Sequence, residues 1–161
     1  MEIQEQFNQL FQNYYPKVFR LCKGYFSGNH HLAEEITQEI FIIIWEKLNT
    51  FRNESSISTW IYRITVNRCL LYLRNKKTKN DIATSSFKDI TDENESDEKE
   101  AQLKKMYDCI QKLDETNKMI ILMVLENIDY DKISEIIGIT EENLRVKIHR
   151  IKKKLTQCVQ I

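Results

Sequence analysis

The segment "YDKISEIIGITEENLRVKIHRIKKKL", Tyr130 to Leu155, constrains the fold more than any other stretch of the chain. Ile133, Ile136 and Ile137 repeat at helical steps before Gly138. After Thr140 a second stripe, Leu144, Ile148, Ile151 and Leu155, falls at i, i+4, i+7 and i+11. Two short amphipathic helices so closely spaced must converge on one core, which is the layout of a helix-turn-helix. Gly138 permits the tight turn, Ile139 plugs the core, and Ser134 is small where the helices cross. Thr140 is placed to cap the second helix, with Glu141 and Glu142 in its first turn. What the buried stripe leaves outside is cationic: Glu142 to Leu155 holds six positive charges against one negative. A DNA-reading helix needs that division, apolar behind and cationic or hydrogen-bonding in front.

The rest of the charge follows a pattern. The chain is neutral, with 24 Lys plus Arg against 24 Asp plus Glu in 161 residues. Residues 51–80 hold seven positive and one negative charge, whereas residues 81–100 hold two positive and eight negative. Neutrality is thus two basic regions separated by an acidic one, and such asymmetry points to a polyanionic partner. The acidic stretch "DIATSSFKDITDENESDEKE" has few apolar residues and no period, and is expected to be a flexible linker. It is either a solvated spacer or a mimic of nucleic acid in a basic channel.

With three Gly and one Pro, the chain has little turn chemistry for hairpins, so helix is the expectation throughout. Phe7, Leu10, Phe11, Tyr14, Val18, Leu21 and Tyr25 mark one helical face, and Pro16 predicts a kink or two helices meeting. "FSGNHH" reads as a turn, with His30 and His31 in a loop. In "LAEEITQEIFIIIWEKL" the run Ile40 to Trp45 is apolar at six consecutive positions. Such a run sweeps every face of a helix and must be covered all round, by its own domain or by a partner. A polar loop "FRNESSISTW" follows, in which Ser56 or Ser58 can cap the next helix. That helix is expected to pack Ile57, Ile61, Ile64 and Leu71 inward. Arg63, Asn67 and Arg74 then share a face beside Trp60. An aromatic, an amide and cations supply stacking, base-edge hydrogen bonds and phosphate contacts; the plainer alternative is a solvated basic face with Trp60 in the core. Past the acidic stretch, Leu103, Met106, Cys109 or Ile110, and Leu113 recur at helical steps, and "TNKMIILMVLENI" reads as a more buried helix.

Other classes are disfavoured. No signal peptide opens the chain, and the longest apolar run is far short of the roughly 20 residues that cross a bilayer. Cys22, Cys69, Cys109 and Cys158 form no CxxC pair and have no His at ligand spacing, so isolated reduced thiols and no metal are expected. No phosphate loop or Ser–His–Asp pattern suggests an enzyme, and no cofactor is expected.

Two segments together resemble a known family. "LAEEITQEIFIIIWEKLNTFRNESSISTWIYRITVNRCLLYLR" is similar to region 2 of bacterial sigma factors, and "LDETNKMIILMVLENIDYDKISEIIGITEENLRVKIHRIKKKL" to their region 4. Their order and spacing match the extracytoplasmic-function (ECF) group of the sigma-70 family. The resemblance implies an all-α chain: a region 2 domain over residues 1–77, an acidic linker over 78–102 and a region 4 helix-turn-helix domain over 103–161. It implies a cytoplasmic, non-catalytic subunit that binds core RNA polymerase through its clamp helices and flap and reads and melts promoter DNA. Carried over by position, Glu35, Gln38, Glu39, Phe41, Ile42 and Trp45 would grip the polymerase. Arg52, Asn53, Ser56, Ser58, Thr59, Trp60, Arg63, Asn67 and Arg74 would capture and read the −10 element. Glu142, Asn143, Arg145, Val146, Lys147, His149, Arg150 and Lys153 would face the −35 element. The linker would thread toward the active-site and RNA-exit channels, and an anti-sigma factor is the expected regulator.

The chain departs from the family pattern in places. Glu34 and Glu35 stand where an Asp is common, and "EEN" replaces a small-residue "EG" before the recognition face. With the chain ending at Ile161, no C-terminal regulatory extension is expected. One rival reading is a stand-alone helix-turn-helix regulator, which would have no use for "IFIIIW" or "STWIYR". Another is a helical interaction protein with a merely soluble basic surface, whose weak salt dependence would distinguish it.

Overall fold

A computed structural model describes residues 2–79 and 98–160, the side chains of 77–79 excepted. Seven α-helices account for it: α1 (Ile3–Tyr25), α2 (His30–Lys47), α3 (Ile57–Lys79), α4 (Glu98–Gln111), α5 (Glu115–Leu125), α6 (Tyr130–Ile137) and α7 (Glu141–Gln160). A single 3₁₀ turn, Leu48–Thr50, follows α2, and no strand occurs among the described residues.

The N-terminal unit is α1 to α3. α1 buries Leu10, Val18, Leu21, Cys22 and Tyr25. Of the two outcomes expected at Pro16, a kink or two helices meeting, the second does not occur: α1 is one continuous helix through it. Pro16 withholds a donor from the Gln12 carbonyl, and both residues are exposed, where water can serve instead. The turn to α2 holds Ser27 and Gly28 at φ 60° and 80°. His30 and His31 open α2 rather than lying in a loop, because the Asn29 side chain caps the helix by accepting from the Leu32 N–H at 3.0 Å. Ser56 caps α3, accepting from the Thr59 N–H at 3.1 Å. α3 turns Ile61, Tyr62, Thr65, Val66 and Cys69 inward, with Ile57 and Ile64 half-buried. Leu71 is 44% exposed, not inward, because the buried face passes through Cys69, two positions earlier and so nearly opposite on the helix.

The C-terminal unit is α4 to α7. α3 runs to Lys79 and α4 starts at Glu98, so both ends of the expected linker are helical; its middle lies outside the described residues. Met106 and Leu113 are half-buried and Cys109 and Ile110 buried, but Leu103 is 54% exposed. Cys109 on α4 and Cys158 on α7 form a disulfide, with Cα atoms 6.0 Å apart. The expectation of four isolated thiols is therefore wrong: the two helices lie side by side and bring together residues 49 apart in sequence. Cys22 and Cys69 are free and buried, their sulfurs 3.8 Å apart between α1 and α3. The helix-turn-helix forms as its pattern requires. Ile133 and Ile136 are buried, Gly138 takes φ 89°, and Thr140 Oγ1 accepts from the Asn143 N–H at 3.1 Å. Leu144, Ile148, Ile151 and Leu155 are the buried side of α7.

The units pack against each other through α5, whose Met119 to Met123 are all buried. α4, α6 and α7 cover it on one side, α1 and α3 on the other. α1 comes close at Gly24, where an added Cβ would sit 3.1 Å from Leu122 Cδ2.

Candidate nucleic-acid and polymerase interfaces

Three candidate surfaces emerge, and the fold treats each differently. On α2, Glu35, Gln38, Ile42 and Trp45 occupy i, i+3, i+7 and i+10 and are all exposed, Ile42 by 57% and Trp45 by 45%. Two residues expected beside them face elsewhere. Phe41 is buried against Phe7, Phe11 and Tyr15, because an inward position at Ile40 and Ile44 takes Phe41 with it. Glu39 is ion-paired with Arg68 of α3. The bare surface extends onto α1, which the periodicity had assigned inward. Phe11 and Ile3 are exposed, Phe7 packs edge-on to Trp45 at 5.2 Å, and a shallow cleft is lined by Ile3, Trp45, Glu46 and Asn49. The repeat Phe7, Phe11, Tyr15, Phe19 was the available signal.

The second surface is the loop before α3 and its outer face. Arg52 and Asn53 are exposed, Asn53 at φ 58°. Trp60 is half-buried, its ring 4.9 Å from that of Phe51. Ser58 is half-buried; Arg63, Asn67 and Arg74 are exposed on one side of α3. Ser56 and Thr59 are already engaged. The Ser56 hydroxyl donates to Thr59 Oγ1 at 3.1 Å, and Thr59, fully buried, donates to Glu135 Oε1 at 3.2 Å. Arg63 donates from Nε and Nη2 to the Glu135 carbonyl at 3.2 and 3.0 Å. Glu135, on α6, is a participant that no sequence pattern indicated.

The third surface is α7. Glu142, Asn143, Arg145, Val146, His149, Arg150 and Lys153 are exposed and Lys147 half-buried, opposite the buried stripe. Arg145 is held in place, paired with Glu141 at 2.7 Å and with its guanidinium 5.2 Å from the Tyr130 ring centre. Such a face offers donors to base edges and phosphates.

Two tyrosines where the units meet are perturbed. Burial, then the charge of Glu115, pushes the Tyr25 hydroxyl well above its usual range. Burial, then Tyr14 and Glu126, pushes Tyr62 up to about 12, against a lowering by Arg20. Among the described residues no His, Cys, Asp and Glu cluster could hold a metal, and no helix is long and apolar enough to cross a membrane.

Residues 10–79 match the family model Sigma-70 region 2, and residues 103–155 match Sigma-70, region 4. The ECF RNA polymerase sigma-E factor of Haemophilus influenzae is 31% identical over 96% of this chain and 87% of its own length. The ECF RNA polymerase sigma factor SigW of Bacillus subtilis is 26% identical over 94% and 88%. Among solved structures, the sigma factor RpoE from Bartonella quintana, in complex with the anti-sigma factor NepR, superposes with a TM-score of 0.78. That match has 16% identity and covers 98% of both chains. CnrH, in complex with the cytosolic domain of CnrY, gives 0.73 at 15% identity over 98% of this chain and 89% of its own. Both family models in their expected order, and the relative above 30% identity, place the chain in the ECF group of the sigma-70 family, as a polymerase-binding, promoter-recognising sigma factor.

Proposed function

We propose a division of labour among the three surfaces. The bare face of α2, with Ile42 and Trp45 at its centre and Glu35 and Gln38 beside them, docks on the clamp helices of core RNA polymerase. Arg52 and Asn53 capture a base of the −10 element, and Trp60, Arg63, Asn67 and Arg74 stack on the opened strand and hold its backbone. Ser56, Ser58 and Thr59 shape that site, Ser56 as the cap of α3. On α7, Asn143, Arg145, Val146, Lys147 and His149 read the −35 major groove from behind Glu142, while Arg150 and Lys153 hold phosphates. The C-terminal unit also meets the polymerase flap. In this reading the chain is cytoplasmic and non-catalytic, directing the chemistry of the polymerase. An anti-sigma factor controls it, a reading supported by the NepR-bound structure of a protein of the same shape.

One observation carries the proposal: the second half of α2, Ile40 to Trp45, is apolar on every side, yet the fold leaves Ile42 and Trp45 exposed. A large apolar pair one turn apart on a helix surface is retained there when a partner covers it. The rival reading, a stand-alone regulator, leaves that face without a purpose. Binding to bacterial core polymerase and opening of a promoter would be measured with Trp45→Ala and Asn67→Ala. Trp45→Ala is expected to weaken polymerase binding by tenfold or more, as loss of a central aromatic anchor does. Asn67→Ala is expected to spare binding and impair opening. Salt-sensitive DNA binding by a chain that binds no core polymerase would sink the proposal.

A further inference from the structure

The contacts between the two units converge on the −10 reading end of α3. Arg63, whose guanidinium would meet the DNA backbone, spends two donors on the Glu135 carbonyl. Thr59 is sealed beneath the Glu135 carboxylate. The packing continues along α1: Arg20 pairs with Glu126 at 3.1 Å, and the Tyr25 hydroxyl donates to Glu115 at 3.3 Å. Gln111 donates to the Gly24 carbonyl at 2.9 Å, and Lys118 lies over the Tyr25 ring at 4.6 Å from its centre. α7, by contrast, keeps its basic side in solvent, and α2 keeps its bare apolar face.

We propose that the free chain is self-masked: its C-terminal unit, through Glu135 on α6, closes over the −10 reading end of α3. The inference rests on the assignment of Thr59 and Arg63 to −10 DNA made above. Three features argue for it. The mask uses the same donors that DNA would use, so closure and −10 binding compete atom for atom. Of the polar contacts, those of Arg63 to the Glu135 carbonyl and of Arg20 to the Glu126 carboxylate come from exposed arginines, and water can replace them at little cost when the units part. The masked state also leaves the polymerase face and the −35 face free, so the closed chain can dock by either before it opens. Opening is then a separate step, drawn forward by whatever partner binds the open form better.

The test uses the full-length chain. Gly24→Leu places a side chain where even a Cβ is already tight against Leu122, and so wedges the units apart without touching a proposed DNA contact. Small-angle scattering reports the separation. Fluorescence anisotropy with a random-sequence pool of single-stranded DNA 12-mers reports access to α3. A chain closed more than nine-tenths of the time is expected to gain at least ~tenfold in affinity when wedged open, because apparent affinity scales with the competent fraction. Adding Arg63→Ala to the wedged chain is expected to remove that gain.

A wild-type chain already extended in solution would overturn the proposal, as would a wedged chain that expands without binding better. If the chain is compact and the wedge tightens binding, but Arg63→Ala leaves the gain intact, the strand binds elsewhere. The −10 assignment of Arg63 then fails, and the mask with it, while closure itself stands. Should Gly24→Leu not fold, Arg20→Glu opposes Glu126 with a like charge at an exposed position. It makes the chain more acidic, so a gain in DNA binding from it cannot be a charge effect.

Discussion

α2 and α5 both carry a run of apolar residues long enough to sweep the whole circumference of a helix, Ile40 to Trp45 in one and Met119 to Leu125 in the other. In α5 the five residues Met119 to Met123 are all buried, because the C-terminal unit covers one side and the N-terminal unit the other. In α2 the three residues Ile40, Phe41 and Ile44 are buried, while Ile42 and Trp45 are left out. Patterning alone cannot separate these cases, since both helices demand cover on every side. The difference lies in what the chain itself supplies. From Met119 to Met123 α5 is covered within the molecule, only Leu125 at its end standing 40% exposed, and what covers it also packs on the end of α3. α2 has only its inner half covered, and that shortfall is the strongest physical sign of a partner.

The comparison can be tested by changing the support around each helix. The largest effect is expected in the unit built on α5, which is also cross-linked. Closing a loop between cysteines 49 positions apart contributes about 4 kcal/mol on chain-entropy grounds. Urea unfolding of the wild type with and without reductant should differ by about that much, and the Cys109→Ser, Cys158→Ser double variant should show no difference. An equal response of that variant to reductant would show that the bond contributes nothing to stability.

Next come single truncations on the two helices. Ile120→Ala in α5 and Ile40→Ala in α2, both at fully buried positions, should each cost about 2–5 kcal/mol. Ile42→Ala, on the bare face, should change stability by no more than about 0.5 kcal/mol. A cost at Ile42 equal to that at Ile40 would mean that the outer face of α2 is covered by the chain itself, and the comparison would collapse.

The smallest effect is a pH dependence. Tyr62 is raised to about 12, so the folded state holds its proton more tightly than the unfolded chain, whose tyrosines titrate near 10. Its stabilising contribution is therefore complete below pH 10 and is lost as pH rises from there to about 12. Tyr62→Phe should flatten that part of the stability profile. Because burial and, after Tyr14, the charge of Glu126 in the C-terminal unit raise Tyr62, the wedged Gly24→Leu chain should show a smaller loss, still starting near pH 10 but complete at a lower pH. An unchanged profile in Tyr62→Phe would assign the alkaline loss to other groups.

Much of the molecule was legible from local pattern. The Leu144, Ile148, Ile151 and Leu155 stripe, the Gly138 turn, the Ser56 and Thr140 caps and the outward cations of α7 all follow from a 3.6-residue period and backbone chemistry within a few residues. The same reasoning misjudged Phe11, Leu71 and Leu103, which sit at the edge of an apolar stripe. A rotation of a few tens of degrees, set by the neighbouring helix, decides whether such a residue is inside. It also left open two helices meeting at Pro16, where α1 in fact continues because an exposed carbonyl tolerates the missing donor.

By itself, the sequence determined that this chain is helical, that one helix presents a basic face, and that two runs need cover on all sides. Tertiary structure alone decided the rest: that Cys109 meets Cys158 across 49 residues, and that Arg63 and Thr59 meet Glu135 across 72 and 76. It also decided that α5 is enclosed from Met119 to Met123 while the second half of α2 is left half bare. The physical reason is range. Periodicity and capping act within a turn or two of a helix, whereas which faces meet depends on how whole helices pack, and no local pattern carries that information.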